Sequence, residues 1–244
     1  MSIHEQYSDV TADAHIVRRA LQALSDTIAF LPPGSEARYV AANCNQGWAH
    51  QPFKRLLDLA IAVPVLILLA PLLAIIGLLI RLDSPGPVLF RQKRLGYRGQ
   101  PFDILKLRTM RVLENGETIT QASPDDARTT RLGRWLRTSS LDELPQLINV
   151  VKGEMSLVGP RPHAKAHDEF YSRLIANYPQ RQNVKPGMTG WAQINGLRGA
   201  TPTVDIMSRR VDFDVWYANH ASFGLDVKIL LRTPFEVLSR RNAY

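Results

Sequence analysis

The sequence predicts a mostly helical domain of α/β or α+β class, anchored by a re-entrant membrane helix hairpin and finished by interfacial amphipathic helices. Three observations lead there. Residues 59–80 form a run of 22 residues without a charge, long enough as a straight helix, at about 1.5 Å per residue, to cross the roughly 30 Å hydrocarbon core. Several later segments place apolar residues at helical spacing, with only short extended stretches between them. The tail interleaves aromatic and basic side chains, the composition that a membrane interface favours.

The 244 residues carry a net charge of +8, unevenly distributed. Residues 1–50 hold Arg18, Arg19 and Arg38 against Glu5, Asp9, Asp13, Asp26 and Glu36, so this part is net −2 and the remainder +10. A body that basic expects an anionic partner: nucleic acid, an anionic membrane surface or phosphorylated substrates. The single cysteine, Cys44, excludes an internal disulfide and a Cys-rich metal site. Residues 1–50 read as a polar N-terminal extension, with no secretory signal and with one amphipathic helix built on Ile16, Ala20, Leu21, Leu24 and Ile28.

Residues 51–82 read as the re-entrant membrane helix and residues 83–244 as the cytoplasmic body. Pro64 and Pro71 lie inside the apolar run, where each removes a helical hydrogen bond and crowds the preceding turn. Lys54 and Arg55 precede the run; Arg81, Arg91, Lys93, Arg94 and Arg98 follow it. A single pass concentrates Lys and Arg on one side. Charge at both ends with a proline between suits a helix that breaks at Pro71 and returns to the face it entered. A kinked single pass is the alternative, since spanning helices tolerate proline.

After the "DSPGP" turn, Val88, Phe90, Phe102, Ile104, Leu105 and Leu107 predict two short strands around a turn at Gly96–Gly99. Residues 126–138 predict a helix with Leu132, Trp135 and Leu136 on one face and Arg131, Arg134 and Arg137 on the other. "AHDEFYSRLIANY" reads as an amphipathic helix and "KPGMTGWAQINGLRG" as a glycine-punctuated loop. In the tail, Trp216, Tyr217, Phe223 and Phe235 alternate with Lys228, Arg232, Arg240 and Arg241.

The stretch "SSLDELPQLINVVKGEMSLVGPRPH" carries the chemistry. Ser140-x-x-Glu143 has the spacing of a capping box, with Ser140 as N-cap and Glu143 reaching back. A structural role for the acids is then sufficient. Yet Arg134, Arg137, Lys152 and a proline-flanked Arg161 surround them. A stiff arginine suits bidentate phosphate recognition, and nearby cations keep an aspartate ionised. An ionised Asp142 can attack phosphorus or hold magnesium.

These residues resemble the monotopic bacterial sugar transferases, the polyprenyl-phosphate phosphoglycosyl transferases. The resemblance runs from about Lys54 to about Leu231 through "KRLLDL", "LDSPGPVLFRQKRLG", "FDILKLRTM", "LRTSSLDELPQLINVVKGEMSLVGPRPHA" and "KPGMTGWAQINGLRG". "GPRPHAKAHDEFY" and "GWAQINGLRG" look most like the branch that moves glucose 1-phosphate onto undecaprenyl phosphate. The resemblance implies a hexose 1-phosphate transfer from a UDP-sugar with release of UMP, glucose ahead of galactose. It implies a covalent aspartyl-phosphosugar intermediate and a first membrane step in exopolysaccharide, capsule or O-antigen assembly. Asp142 matches the catalytic aspartate, Glu143 completes the dyad, and Mg2+ is bound at Asp142. Arg137, Arg161, Lys106 and Arg108 are expected at the phosphates, and His163, Gln193, Asn195 and Arg198 at the nucleotide sugar. Pro71 matches the helix break. The expected setting is the bacterial inner membrane, with the body on its cytoplasmic face. The expected partners are UDP-sugar, undecaprenyl phosphate, the membrane and a second copy in a homodimer, with no nucleic acid. Larger members carry several membrane spans and a further domain ahead of this core, where this sequence has about fifty polar residues.

Two other readings compete. His163 and His167, at i and i+4, could serve a metal hydrolase, but no HExxH pattern or third ligand accompanies them. A membrane-anchored adaptor could bind anionic lipid or nucleic acid through the basic body, but no zinc-finger spacing or RNP-like segment is present. That adaptor would not need Asp142.

Overall fold

The computed structural model describes residues 47–111, 126–199 and 201–238. The predicted helix at residues 16–28, Cys44, Arg240 and Arg241 lie outside the described residues. After a 3-10 turn at Trp48–His50, helix α1 runs Pro52–Asp83, with proline in its first turn, where its missing N–H is no loss. The expected break at Pro71 does not divide it. The helix continues through Pro64 and Pro71, so the prolines interrupt the hydrogen-bond ladder and not the element. At about 1.5 Å per residue its 32 residues exceed the roughly 30 Å hydrocarbon core.

Only 11% of the most apolar 18-residue window of α1 is buried, unlike a soluble core helix. Burial is confined to its two ends. Lys54, Asp58 and Ala62 form one buried stripe; Ile76, Gly77 and Ile80 form another, and nothing from residue 63 to 75 is buried. The first stripe joins a core containing Phe102, Ile104, Leu147, Val150, Met155, Leu157, Tyr217 and Ile229. The second packs with Leu107 and Leu136.

Strands β1 (Leu89–Leu95) and β2 (Pro101–Leu107) pair antiparallel, Leu89 opposite Leu107 and Leu95 opposite Pro101. Their connection passes through left-handed Arg98 and Gly99, so the predicted hairpin is present. Helix α2 (Arg131–Ser139) starts at Thr130, whose hydroxyl accepts the Gly133 N–H at 2.9 Å. A Cβ at Gly133 would fall 2.1 Å from the Thr109 carbonyl oxygen, so only glycine lets this helix press on the chain leaving β2. Leu136 is buried as expected, but Trp135 is 56% exposed rather than part of the inward face.

Helix α3 (Gln146–Lys152) docks on the free edge of β2 through Asn149. Its Oδ1 accepts the Leu105 N–H at 3.0 Å and its Nδ2 donates to the Asp103 carbonyl at 2.8 Å, substituting for a third strand. Strand β3 (Ser156–Val158) pairs parallel with β4 (Gly187–Thr189). The segment read as a loop therefore contains β4 and the short helix α5 (Trp191–Ile194). Gly187 and Gly190 signal close backbone contact, a Cβ on Gly187 lying 2.1 Å from the Gly159 nitrogen, whereas Gly196, at φ 82 with open space around it, is a turn glycine. Helix α4 (Lys165–Leu174) lies between the two strands, and α6 (Val204–His220) and α7 (Phe223–Leu238) close the chain. On α7, Phe223, Leu231 and Phe235 are exposed while Asp226 and Ile229 are buried.

A buried ionic knot fastens α1 to α7 and β3. Asp226 accepts from Trp48 Nε1 at 2.7 Å and Tyr217 OH at 2.7 Å and pairs with Lys54 Nζ at 2.8 Å. Lys54 also meets Asp58 at 3.3 Å, and Asp58 accepts from Ser156 Oγ and the Leu157 N–H. Arg55 donates to the Val150 and Val151 carbonyls at the end of α3, at 2.5 and 2.7 Å, where a cation meets the helix dipole favourably.

Candidate active site

The backbone turns sharply at Ser140. This residue adopts φ 60 and ψ 16, a left-handed conformation uncommon outside glycine, Asn and Asp. It ends α2, its N–H reaching the Arg137 and Leu136 carbonyls. A single 3-10 turn, Leu141–Glu143, then presents the two acids. The capping box is not formed: Ser140 makes no side-chain cap, and Glu143 turns away to two cations.

Glu143 Oε1 accepts from Lys106 Nζ at 2.8 Å, and Arg161 closes on the carboxylate with both Nη atoms, Nη1 to Oε2 at 3.1 Å. Burial alone would raise the Glu143 carboxyl; Arg161 and Lys106 outweigh it and hold it well below the usual range. Glu143 is thus a fixed anion. Asp142, one residue earlier, is 8% exposed and makes no hydrogen bond to another described residue. Burial pushes its carboxyl up to about 6, against Lys106, with the Glu143 charge adding to the rise and Arg137 and Arg161 opposing it. One acid of the pair takes the hydrogen bonds, and the other is left reactive among cations.

The backbone of Arg161 is fixed by more than its flanking prolines. The Gly187 N–H donates to the Pro160 carbonyl at 2.9 Å, Arg181 Nη2 to that of Arg161 at 2.6 Å and Arg94 Nη1 to that of Pro162 at 3.3 Å. Arg181 is itself paired with Asp214 of α6 at 2.8 Å. Burial, then Arg161, lowers the Arg94 guanidinium to about 10, so Arg94 remains a cation beside Arg161. Sequence reasoning missed Arg94 and Arg181. The alternation of β1 held a signal: Arg91 and Lys93 face solvent, whereas Gln92 and Arg94 share the inward parity.

The structure gathers some of the predicted residues and not others. Lys106, Arg137 and Arg161 all act electrostatically on Asp142. Arg198 Nη2 donates to Ser140 Oγ at 2.5 Å, placing a fourth cation at the rim. Arg108 is not in this cluster. It is buried and donates to the Ile80 and Ser84 carbonyls and, at 2.8 Å, to that of Pro85, so it caps the end of α1. His163 is buried; its Nδ1 accepts from Arg181 Nη1 at 2.8 Å. Burial, then Arg181, holds its imidazole well below the ordinary value, so it is a neutral core group. That engagement also removes Nδ1 from any metal site with His167. Gln193 donates to the Met188 carbonyl and Asn195 to that of Trp191, both within their own short segment.

Among the described residues no three His, Cys, Asp or Glu side chains are grouped around a metal position. Magnesium is commonly held by one or two carboxylates completed by substrate phosphates. With Glu143 occupied by Lys106 and Arg161, the hydrogen-bond-free Asp142 carboxylate is the donor that fits such a shared ion.

Comparison with known proteins places the chain in a family. Residues 49–240 match the family model described as bacterial sugar transferase. The chain is 53% identical over 191 residues to the UDP-glucose:undecaprenyl-phosphate glucose-1-phosphate transferase of Caulobacter vibrioides, covering 78% of this chain and 72% of that protein. It is 50% identical over 191 residues to the Escherichia coli protein of the same name, covering 78% of this chain but 41% of that relative. The exopolysaccharide production protein PSS of Rhizobium leguminosarum is 41% identical, across 78% of this chain and 98% of its own length. The matched span begins just before α1 and ends past α7, so it holds every element that builds the acid pair: the chain belongs to the bacterial sugar transferase family.

Proposed function

We propose that the chain transfers glucose 1-phosphate from UDP-glucose to undecaprenyl phosphate, releasing UMP, through a covalent phosphosugar on Asp142. The relatives' names supply the substrates. The observation that carries the mechanism is the division of labour in the acid pair: Glu143 takes Lys106 and Arg161, and Asp142 takes no hydrogen bond from the described residues.

In the first half-reaction an oxygen of ionised Asp142 bonds to the phosphorus that bears glucose. The bond from that phosphorus to the bridging oxygen breaks, and UMP leaves with the oxygen. In the second, a phosphate oxygen of undecaprenyl phosphate bonds to the same phosphorus, the bond to Asp142 breaks, and the carboxylate is regenerated. Lys106, Arg137, Arg161 and Arg198 bind and neutralise the phosphate oxygens. Glu143 holds Lys106 and Arg161 at the place where that charge develops. Mg2+, held by Asp142 with the diphosphate, would supply further neutralisation when bound. Intact-mass measurement with UDP-glucose alone should show a 1:1 phosphosugar adduct on the wild type and none on Asp142→Asn, which also loses turnover. Substantial turnover by Asp142→Asn removes the nucleophile. UDP-galactose in the same assay identifies the sugar.

The same reading makes α1 a re-entrant anchor in the bacterial inner membrane, with the body on the cytoplasmic face and α7 at the interface, at the first membrane step of exopolysaccharide assembly. Both ends of α1 pack on one body, and the hydrogen bonds missing at Pro64 and Pro71 would let the continuous helix bend between them; together these support entry and exit on the same side. Exposed Phe223, Leu231 and Phe235 support contact of α7 with lipid. An impermeant maleimide should leave Cys44 unlabelled in intact spheroplasts and label it after lysis and unfolding; labelling of intact spheroplasts would require a spanning helix.

A further inference from the structure

A second cavity lies apart from the acid pair, beside the start of α1. It has a volume of about 320 Å³, the size at which small-molecule sites begin. None of Lys106, Arg137, Asp142, Glu143, Arg161 and Arg198 lines it. Its floor is the satisfied knot of Lys54, Asp58, Ser156 and Tyr217. Its rim is different. His50, Gln51, Tyr97 and Lys185 line the same space, and the side chains of all four lack a hydrogen bond or ion pair to another described residue.

The charge around that rim is positive. Arg55 and Lys185 converge on one point: a Cβ on Gly153 would lie 3.5 Å from Arg55 Nη2 and 3.7 Å from Lys185 Nζ. Burial and the neighbouring Arg55 lower the Lys185 ammonium, while Asp58 raises it. Arg98 does not line the cavity, but it stacks on the Tyr97 ring at 5.0 Å and its charge acts on His50, so a third cation stands behind the rim. Gln51, the N-cap of α1, lines the same space and provides no side-chain cap, so the helix begins at the rim of the cavity. Two mutually repelling cations, a helix N-terminus at the rim, and phenol, amide and imidazole groups with no hydrogen bond to another described residue together describe the complement of a compact oxyanion.

We propose that this cavity is a second phosphate-binding site, in which Lys185 and Tyr97 hold a phosphate group at the point where α1 leaves the body. The phosphate can be a phospholipid headgroup or a soluble phosphate, and the two are separable. The full-length protein would be placed in phosphatidylcholine nanodiscs and titrated with inorganic phosphate by calorimetry. In parallel, nanodiscs containing phosphatidylglycerol would be examined by native mass spectrometry for retained lipid. Lys185→Gln and Tyr97→Phe would each be compared with the wild type and with Arg161→Ala, which addresses the acid-pair site. Loss of one charge-assisted hydrogen bond corresponds to about tenfold weaker binding. Weaker calorimetric binding in Lys185→Gln at a site that Arg161→Ala leaves intact identifies soluble phosphate. Unchanged calorimetry with loss of retained phosphatidylglycerol identifies the lipid headgroup. Both variants matching the wild type in both measurements, with unchanged melting temperature, overturns the proposal. Because this site shares no residue with Asp142, its failure leaves the transfer mechanism standing, and the converse also holds.

Discussion

Asp226 and Asp142 are both buried acids, 0% and 8% exposed, yet their surroundings are opposite. Asp226 has Trp48, Lys54 and Tyr217 around its two oxygens. Asp142 has cations nearby but no hydrogen bond from any described residue, and its one acidic neighbour absorbs the donors that could have satisfied it. Burial of a carboxylate is tolerated when its lone pairs are filled and is unfavourable when they are not. The first arrangement holds elements together. The second leaves an oxygen without a hydrogen bond from the described residues, as the proposed nucleophile needs, and gives up stability in doing so.

Replacing each acid by its amide tests that contrast. The largest effect is expected for Asp226→Asn, which leaves Lys54 in the interior with only Asp58. Breaking a buried pair on one side destabilises by about 3–5 kcal/mol, which urea unfolding of the detergent-solubilised protein would read. Asp142→Asn should do the reverse. Its carboxyl titrates at about 6 in the folded chain against 3.8 for the free group, so the folded state binds the proton more tightly and stability falls as pH rises through that window. At neutral pH the amide should therefore be more stable by about 3 kcal/mol, or roughly 6–12 °C in melting temperature. The gain should vanish below about pH 4, where both states are protonated. A loss of stability at neutral pH would place Asp142 with Asp226 as a structural acid. The smallest effect sharpens the electrostatics. Lys106 is the leading cation holding the Asp142 carboxyl down, so Lys106→Met should move the acidic limb of the pH–rate profile upward by about one unit. A limb that stays in place would mean that Asp142 is not the group titrating.

Periodic features were legible from sequence. The apolar run gave α1, alternation gave the β1–β2 hairpin, and the unusual charge setting singled out Asp142, Glu143 and Arg161. What escaped was set by contacts distant along the chain. Ser140 reads as an N-cap because S-x-x-E has that spacing, but Lys106, 37 residues from Glu143, draws its carboxylate elsewhere. Arg108 sits two residues beyond Lys106 and looks equally suited to phosphate; only the fold shows it spent on the end of α1. Lys54 and Arg55 read as topology-setting charges, yet both are committed inside the body, to Asp226 and to two carbonyls of α3. Glycines at 159, 187 and 190 are ambiguous alone, since flexibility and close backbone approach use the same residue.

If α1 is the membrane anchor proposed above, its two docked stripes bear on how it responds to its lipid. A free apolar helix adjusts to a thinner or thicker bilayer by tilting. Here Lys54, Asp58 and Ala62 are secured at one end and Ile76 and Ile80 at the other, so the angle is dictated by the body. The lipid must then deform around the protein. On that reading immersion depth is encoded in the fold, and Asp142 would stay at one distance from the headgroup layer in membranes of different composition.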